Sequence, residues 1–322
     1  MPHKTPHLKI GILEHKHFSK KALQVLNDLG EVFFYDESDN LENFLLKKDI
    51  LFVRLKYSIT DNLIKKSNVK IICSATTGLN HIKILDKNIK IISLYKDNVF
   101  LKKIRATAEH IFGLTIALLR NYKATICTLK KPENRIDYIG HEIYENKIGI
   151  VGFGRLGKIL SSYFHAFGAK VLVNDIREIN SKENPNSLEI VNLDTLLLKS
   201  KIVILCVNYS PEYHHFFGKK QLEYLKGKFF INASRGELID RNDFLNFIDS
   251  GEYLGVAVDV YDSESNPDSS IIELAKYFNR QNFIMTPHIG GMTYESLNKA
   301  EIRVSELLAK YVKDKNLFVM KY

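Results

Sequence analysis

Residues 151–175 read VGFGRLGKILSSYFHAFGAKVLVND, and this stretch decides the fold. The residues leading into it, Lys147–Val151, have the short apolar, β-branched character of a buried strand. Gly152, Gly154 and Gly157 follow at the GxGxxG spacing, a helix-length run continues to about Phe167, and a second strand ends on Asp175. Each part has a physical reason. Gly152 permits the tight strand-to-helix turn, Gly154 lets backbone approach a pyrophosphate, and Gly157 lets the helix pack closely on the strand. The helix N-terminus, at Arg155 and Leu156, offers unpaired N–H groups and a positive dipole end to phosphate. Asp175, eighteen residues beyond Gly157, falls where a carboxylate accepts both ribose hydroxyls of an adenosine. The plain alternative is a glycine-rich turn that merely packs well. The frame of strand, helix, strand and acid argues instead for a bound dinucleotide, and Asp175 favours NAD because it would repel a 2′-phosphate.

Composition sets the outer bounds. With 322 residues the chain has room for two domains with full cores. A 45% hydrophobic and 26% charged content is ordinary for a globular protein. No apolar run approaches the ~18 residues of a membrane span. The start, MPHKTPHLKIGILE, enters a strand without a signal-peptide core. Cys73, Cys127 and Cys206 are widely spaced in apolar contexts, as reduced packed thiols would be. A cytoplasmic protein is expected, with no membrane partner and no metal site. The net charge of +9 raises the question of nucleic acid, but the lysines come as scattered pairs rather than a stripe. A solvated surface with no nucleic-acid partner is the better reading.

Working outward, two series of alternating strands and helices appear. The first has strands at about Lys9–Leu13, Val32–Tyr35, Ile50–Val53, Lys70–Ser74 and Ile91–Ser93, with helices at Ser19–Leu29 and Thr60–Lys66. A long helical run, Ala106–Asn121, comes next. The second series has strands at Lys147–Val151, Lys170–Asn174, Ile202–Val207, Phe229–Asn232, Val256–Asp259 and Phe283–Met285. An amphipathic helix over Thr293–Val312 closes the pattern. Short β-branched strands separated by helices predict parallel sheets covered on both faces. The expected architecture is therefore α/β, with two doubly wound parallel-sheet domains. Residues 99–289 would form a Rossmann NAD-binding domain, inserted in a flavodoxin-like substrate domain made of residues 1–98 and 290–322.

Four polar residues stand just beyond predicted strand ends, where an open α/β sheet holds its ligand. Arg235 lies in FFINASRGEL, Asp259 closes GVAVD, Glu264 follows in YDSES, and His288 stands in MTPHIGG. Singly, Arg235 suits a surface ion pair, Asp259 a turn cap and His288 a loop position. Grouped behind a dinucleotide loop, they suit catalysis. The other ten histidines are read as surface residues.

The ordered runs VGFGRLG…ND, NASRGELID, GVAVDVYDSE and TPHIGG resemble the D-isomer-specific 2-hydroxyacid dehydrogenases, which include formate, D-lactate, glycerate and D-3-phosphoglycerate dehydrogenases. RLKYSIT, TTGLNHI and ATAEHIFGLTIALLR extend the likeness over nearly the whole chain. Glu264 lies twenty-nine residues after Arg235, and His288 twenty-four after Glu264, within the family's usual separation. The resemblance implies a hydride transfer between NAD and a D-2-hydroxyacid or 2-oxoacid. Arg235 would grip the substrate carboxylate and reacting oxygen, as a planar guanidinium can. His288 would be the acid–base, with Glu264 accepting its other ring N–H. Asp259 would orient the nicotinamide carboxamide. Cys206, Val207 and Asn208 would flank adenine, and Ala233 would join Arg235 and His288 beside the cofactor. Backbone N–H groups of Thr76, Thr77, Gly78 and Leu79 would anchor the carboxylate. Arg54 and Lys56 suit either a distal anionic group or a solvated turn.

The chain also departs from the family. Ser265 replaces the proline that usually follows the glutamate, Asp262 stands nearby as a second acid, and Lys83 replaces a frequent aspartate. The resemblance further implies a homodimer through the Ala106–Asn121 helix. The alternative is an NAD-sensing, corepressor-like binding protein on the same fold. Its marks would be a peptide groove and disordered tails, and the joint presence of Arg235, Glu264 and His288 argues against it.

Overall fold

The computed structural model describes residues 8–95, 97–128, 135–180, 188–262, 270–280 and 282–315. The chain divides into two compact units, Met1–Ile104 with Met292–Tyr322, and Arg105–Gly291.

In the first unit, β1 (Leu8–Ile12), β2 (Gly30–Phe34), β3 (Ile50–Val53), β5 (Ile71–Ser74) and β7 (Lys90–Ser93) form a parallel sheet in the order β2-β1-β3-β5-β7. Two-residue strands β4 (Ile59–Thr60) and β6 (Ile82–Lys83) pair separately. Ser19 caps the Lys20–Leu29 helix by accepting from the Ala22 N–H, and that helix runs straight into β2. The Tyr294–Asp314 helix packs against it, placing Ala300, Val304, Leu308 and Val312 in the same core as Ile10, Ile50 and Cys73. The Asn98–Leu101 helix stays with this unit because Leu101 is buried in that core and Asp97 accepts from Arg303.

In the second unit, β8 (Lys147–Val151), β9 (Lys170–Asn174), β10 (Glu189–Ile190), β11 (Ile202–Leu205), β12 (Phe229–Asn232), β13 (Gly255–Val258) and β14 (Phe283–Met285) form one parallel sheet. Their order is β10-β9-β8-β11-β12-β13-β14. The strands β11 and β13 are buried at every residue, which is what a sheet covered on both faces demands. Alternate residues feed two separate cores. Ile148, Ile150, Ile202, Ile204 and Ile231 meet the Ala106–Leu119 and Arg155–Ala166 helices on one face. Val203, Leu205, Phe230, Val256 and Val258 meet Leu196, Leu197, Phe244 and Ile248 on the other. The long helix predicted to reach Asn121 stops at Leu119, because Asn121 takes a left-handed φ of 50° before the chain resumes as Tyr122–Thr128. Cys73 and Cys206 are buried free thiols whose pKa values burial pushes up, while the side chain of Cys127 lies outside the described residues. Among the described residues, no helix is long and apolar enough to cross a membrane.

Candidate active site

The sheet order of the second unit reverses between β9-β8 and β11, so a crevice opens at the carboxyl ends of β8 and β11. The glycine loop lies there. Gly152 has φ +98°, and a Cβ on it would stand 2.7 Å from the Cys206 carbonyl oxygen, so the loop after β8 abuts the segment after β11. A Cβ on Gly157 would stand 2.1 Å from the Gly152 oxygen, which fixes how closely helix and strand pack. Gly154 differs, since a Cβ there would meet no protein atom within 4 Å. The N–H groups of Gly154, Leu156 and Gly157 donate to no acceptor among the described residues. Burial lowers the Arg155 guanidinium pKa and repulsion from Arg105 lowers it further. These residues fit a dinucleotide pyrophosphate.

Asp175 is part of this loop as well as its neighbour. Its Oδ2 accepts from the Phe153 N–H at 2.7 Å and its Oδ1 from the Arg177 N–H at 2.9 Å. Arg177 Nη2 reaches back to the Phe153 carbonyl at 3.2 Å.

The remaining positions follow along the same sheet edge. Ser234 Oγ donates to the Leu205 carbonyl at 2.7 Å, tying the end of β12 to β11. Ala233 is buried here, and Cys206 and Val207 belong to the cores on either face. Arg235 follows in extended backbone, its carbonyl accepting from Asn232 Nδ2 at 3.0 Å. Gly236 makes this loop possible, because a Cβ would stand 1.8 Å from the carbonyl carbon of Tyr261. The Arg235 loop therefore lies directly on the backbone that leaves β13.

Asp259 ends that strand with a carboxylate 1% exposed. Its Oδ1 accepts from the Ile289 N–H at 2.9 Å and its Oδ2 from the Gly290 N–H at 2.8 Å. The acid is directed into the turn that follows β14 and is not open to solvent. His288 sits in that turn with φ 51°, its N–H donating to the Asp259 carbonyl at 2.8 Å. A non-glycine residue held left-handed is costly by about 1–3 kcal/mol, and such positions cluster at functional sites. Asp262 is half-buried three residues beyond Asp259. Glu264 and Ser265 lie outside the described residues.

Two histidines overturn the surface assignment made for all ten. His110, on the Ala106–Leu119 helix, has its Nε2 3.3 Å from Asp259 Oδ1. Its spacing carries a signal, since Ala106, His110, Leu114 and Leu118 form an i, i+4 stripe whose apolar members are buried. In the first unit, His81 is 7% exposed and bonded to Ser74 Oγ at 3.2 Å. Ser74 Oγ in turn meets Thr76 Oγ1 at 2.7 Å, and Thr76 Oγ1 donates to the Gly78 carbonyl at 2.8 Å. This chain turns the Gly78 carbonyl inward. The N–H groups of Thr77, Gly78 and Leu79 donate to no acceptor among the described residues, which leaves a row of donors suited to an anion.

Arg54 is corrected. Its Nε and Nη2 reach Glu301 Oε1 at 3.0 and 2.5 Å, and its Nη1 donates to the Lys16 carbonyl at 3.1 Å. The guanidinium is taken up by a buried acid on the C-terminal helix, a pairing that neither a distal anion nor a solvated turn predicts. Lys56 pairs with exposed Glu37 at 2.5 Å.

Residues 112–290 match the family described as D-isomer specific 2-hydroxyacid dehydrogenase, NAD binding domain. The D-3-phosphoglycerate dehydrogenase of Mycobacterium bovis is 27% identical over 293 residues, which cover 88% of this chain and 53% of that one. The erythronate-4-phosphate dehydrogenase of Wigglesworthia glossinidia brevipalpis is 31% identical over 302 residues, covering 92% and 71%. The chain thus spans about half the length of the phosphoglycerate relatives it matches. The crystal structure of a D-lactate dehydrogenase from Aquifex aeolicus shares the fold with a TM-score of 0.79 at 23% identity, covering 96% of this chain and 97% of that one. This chain belongs to the D-isomer specific 2-hydroxyacid dehydrogenase family, and residues 112–290 are its NAD binding domain.

Proposed function

We propose that this protein is an NAD-dependent oxidoreductase acting between D-2-hydroxyacids and 2-oxoacids. One observation carries the reading: Arg235 and the strained His288 stand at the same end of the sheet as an open glycine loop that Asp175 clamps. NADH, when bound, supplies the hydride that reaches the substrate's carbonyl carbon. Arg235 holds the carboxylate and polarises the carbonyl oxygen, and the Thr76–Leu79 donors bind the carboxylate. His288 gives a ring proton to the oxygen in reduction and removes it from the hydroxyl in oxidation. Glu264 is assigned to the other ring nitrogen of His288. Asp259 holds the His288 turn and is assigned to the nicotinamide carboxamide. Asn208, beside Cys206 and Val207, lines the adenine side.

The protein is further read as a cytoplasmic homodimer. Ile126, Ile136 and Ile139, each more than 70% exposed, follow the Ala106–Leu119 helix and would be covered by a second copy. Light scattering at micromolar concentration should give twice the chain mass.

The activity test is a panel of 2-oxoacids with NADH, followed by absorbance. At least one should be reduced by the unaltered protein and not by His288→Gln. NADH binding without turnover across the whole panel, in both proteins, would overturn the enzyme reading.

A further inference from the structure

A buried polar cluster lies behind the His288 turn. Thr286 Oγ1 donates to Asp259 Oδ1 at 2.5 Å, and His110 Nε2 lies 3.3 Å from that oxygen and 3.2 Å from Thr286 Oγ1. A carboxylate only accepts, and the hydroxyl proton points at it, so Nε2 must be the protonated ring nitrogen. Asp259 thus gathers donors from the Ala106–Leu119 helix, from the end of β14 and from both residues that follow His288. Burial alone would raise the Asp259 pKa. The bonds from His110, Thr286, Ile289 and Gly290 outweigh it and hold the carboxyl below its ordinary value. The turn is packed hard on this acid, because a Cβ on Gly290 would stand 2.9 Å from Oδ2. His288, between these anchors, keeps a φ that it would not choose by itself.

We propose that His110 is a positioning residue for His288, setting the 286–290 turn through Asp259 and Thr286. The proposal rests on reading His288 as the acid–base. His110 touches neither substrate nor cofactor in this scheme. Without its donor, the buried carboxylate is left under-bonded and pulls its other donors toward it. The turn then relaxes, and the His288 ring loses its aim.

The test compares His110→Phe, which keeps the ring volume without a donor, with His110→Gln, which returns a donor at similar reach. Thr286→Val removes the hydroxyl instead and serves if His110→Phe does not fold. With 13C-labelled histidine, the Cε1–H signal of His288 is assigned by its absence in His288→Gln. We expect His110→Phe and Thr286→Val to move or broaden that signal. They should lower kcat about tenfold or more, leave NADH affinity by fluorescence within about twofold, and be largely rescued by the Gln variant. An unmoved His288 signal in both donor-less variants overturns the proposal. So does a parallel loss of NADH affinity, melting temperature and kcat that Gln does not rescue. The resonance needs no turnover, so a protein that reduces no 2-oxoacid would fail the activity panel while this coupling is still read directly.

Discussion

The backbone N–H of Phe153 donates to Oδ2 of Asp175 at 2.7 Å, so the acid expected at the adenosine ribose also clamps the glycine loop that would hold the pyrophosphate. The two tasks are compatible. A carboxylate oxygen has two lone pairs, and each Asp175 oxygen accepts one backbone N–H. The remaining capacity suits ribose hydroxyls, whereas a 2′-phosphate would meet the carboxylate's like charge, with Arg177 Nε 3.5 Å from Oδ1 drawn to that carboxylate. NADH should therefore be preferred over NADPH by more than ~tenfold in kcat/KM. Asp175→Ala should erode the preference and weaken both cofactors, because the Phe153 clamp goes too. Equal use of both cofactors by the unaltered protein would contradict this assignment.

Gly154 and Gly157 separate a binding role from a packing role. A Cβ on Gly154 meets open space, while one on Gly157 strikes the Gly152 carbonyl. Gly154→Ala should change stability by less than about 1 kcal/mol, the usual margin at a helix N-cap, yet weaken NADH about tenfold or more. Gly157→Ala should cost about 1–3 kcal/mol by overpacking. Melting curves and fluorescence titrations of the two variants should move in opposite ranks. The same rank in both measurements would mean that the space beside Gly154 is not the cofactor's.

The fold class was legible because the second-unit strands of three residues or more are short apolar runs with a turn signal after them. Ile50–Val53, Lys147–Val151, Phe229–Asn232 and Phe283–Met285 begin and end as read. The pairs β4, β6 and β10 were not legible, since two residues carry no periodicity. Arg235 and His288 lie just past the ends of β12 and β14, as their places in the sequence predict. His110 was missed because one polar residue on an apolar helix stripe looks like any tolerated histidine until its partner, Asp259, is placed beside it. Arg54 was misread for a related reason. Its partner Glu301 is 247 residues away in sequence, and nothing in RLKYSIT announces a buried acid.

That ion pair has its own pH signature. Glu301 is fully buried, with Oε2 accepting from the Ser19 N–H at 2.7 Å. Burial raises its pKa above the ordinary value, and Arg54 only partly offsets this. A carboxyl raised on folding leaves the folded state binding more protons than the unfolded one. Its contribution to stability therefore falls as pH rises from the unfolded value, ~4.3, through the folded one, and levels off above it. Arg54→Met removes the offset and lifts Glu301 further. Its destabilisation should be small near pH 5 and reach about 3–5 kcal/mol at pH 8, the usual cost of an unpaired buried charge. Urea melts at the two pH values check it. A penalty independent of pH would show that Arg54 acts by packing and not by charge.

His288 joins strain to chemistry, and the two can be pulled apart. If it is the acid–base, His288→Gln should lower kcat by ~10²–10⁴-fold and leave NADH binding nearly unchanged. Arg235→Lys should weaken substrate binding and catalysis together, because an ammonium cannot make a bidentate contact. The φ of 51° adds a further expectation. Asparagine tolerates the left-handed region better than histidine's bulkier ring does, so His288→Asn should be equally inactive and no less stable than the unaltered protein. A position kept for stability would behave the opposite way, with Asn melting lower and turnover surviving. Near-normal reduction of a 2-oxoacid by His288→Gln would remove His288 from the reaction, and with it the assignment of Glu264 as its partner.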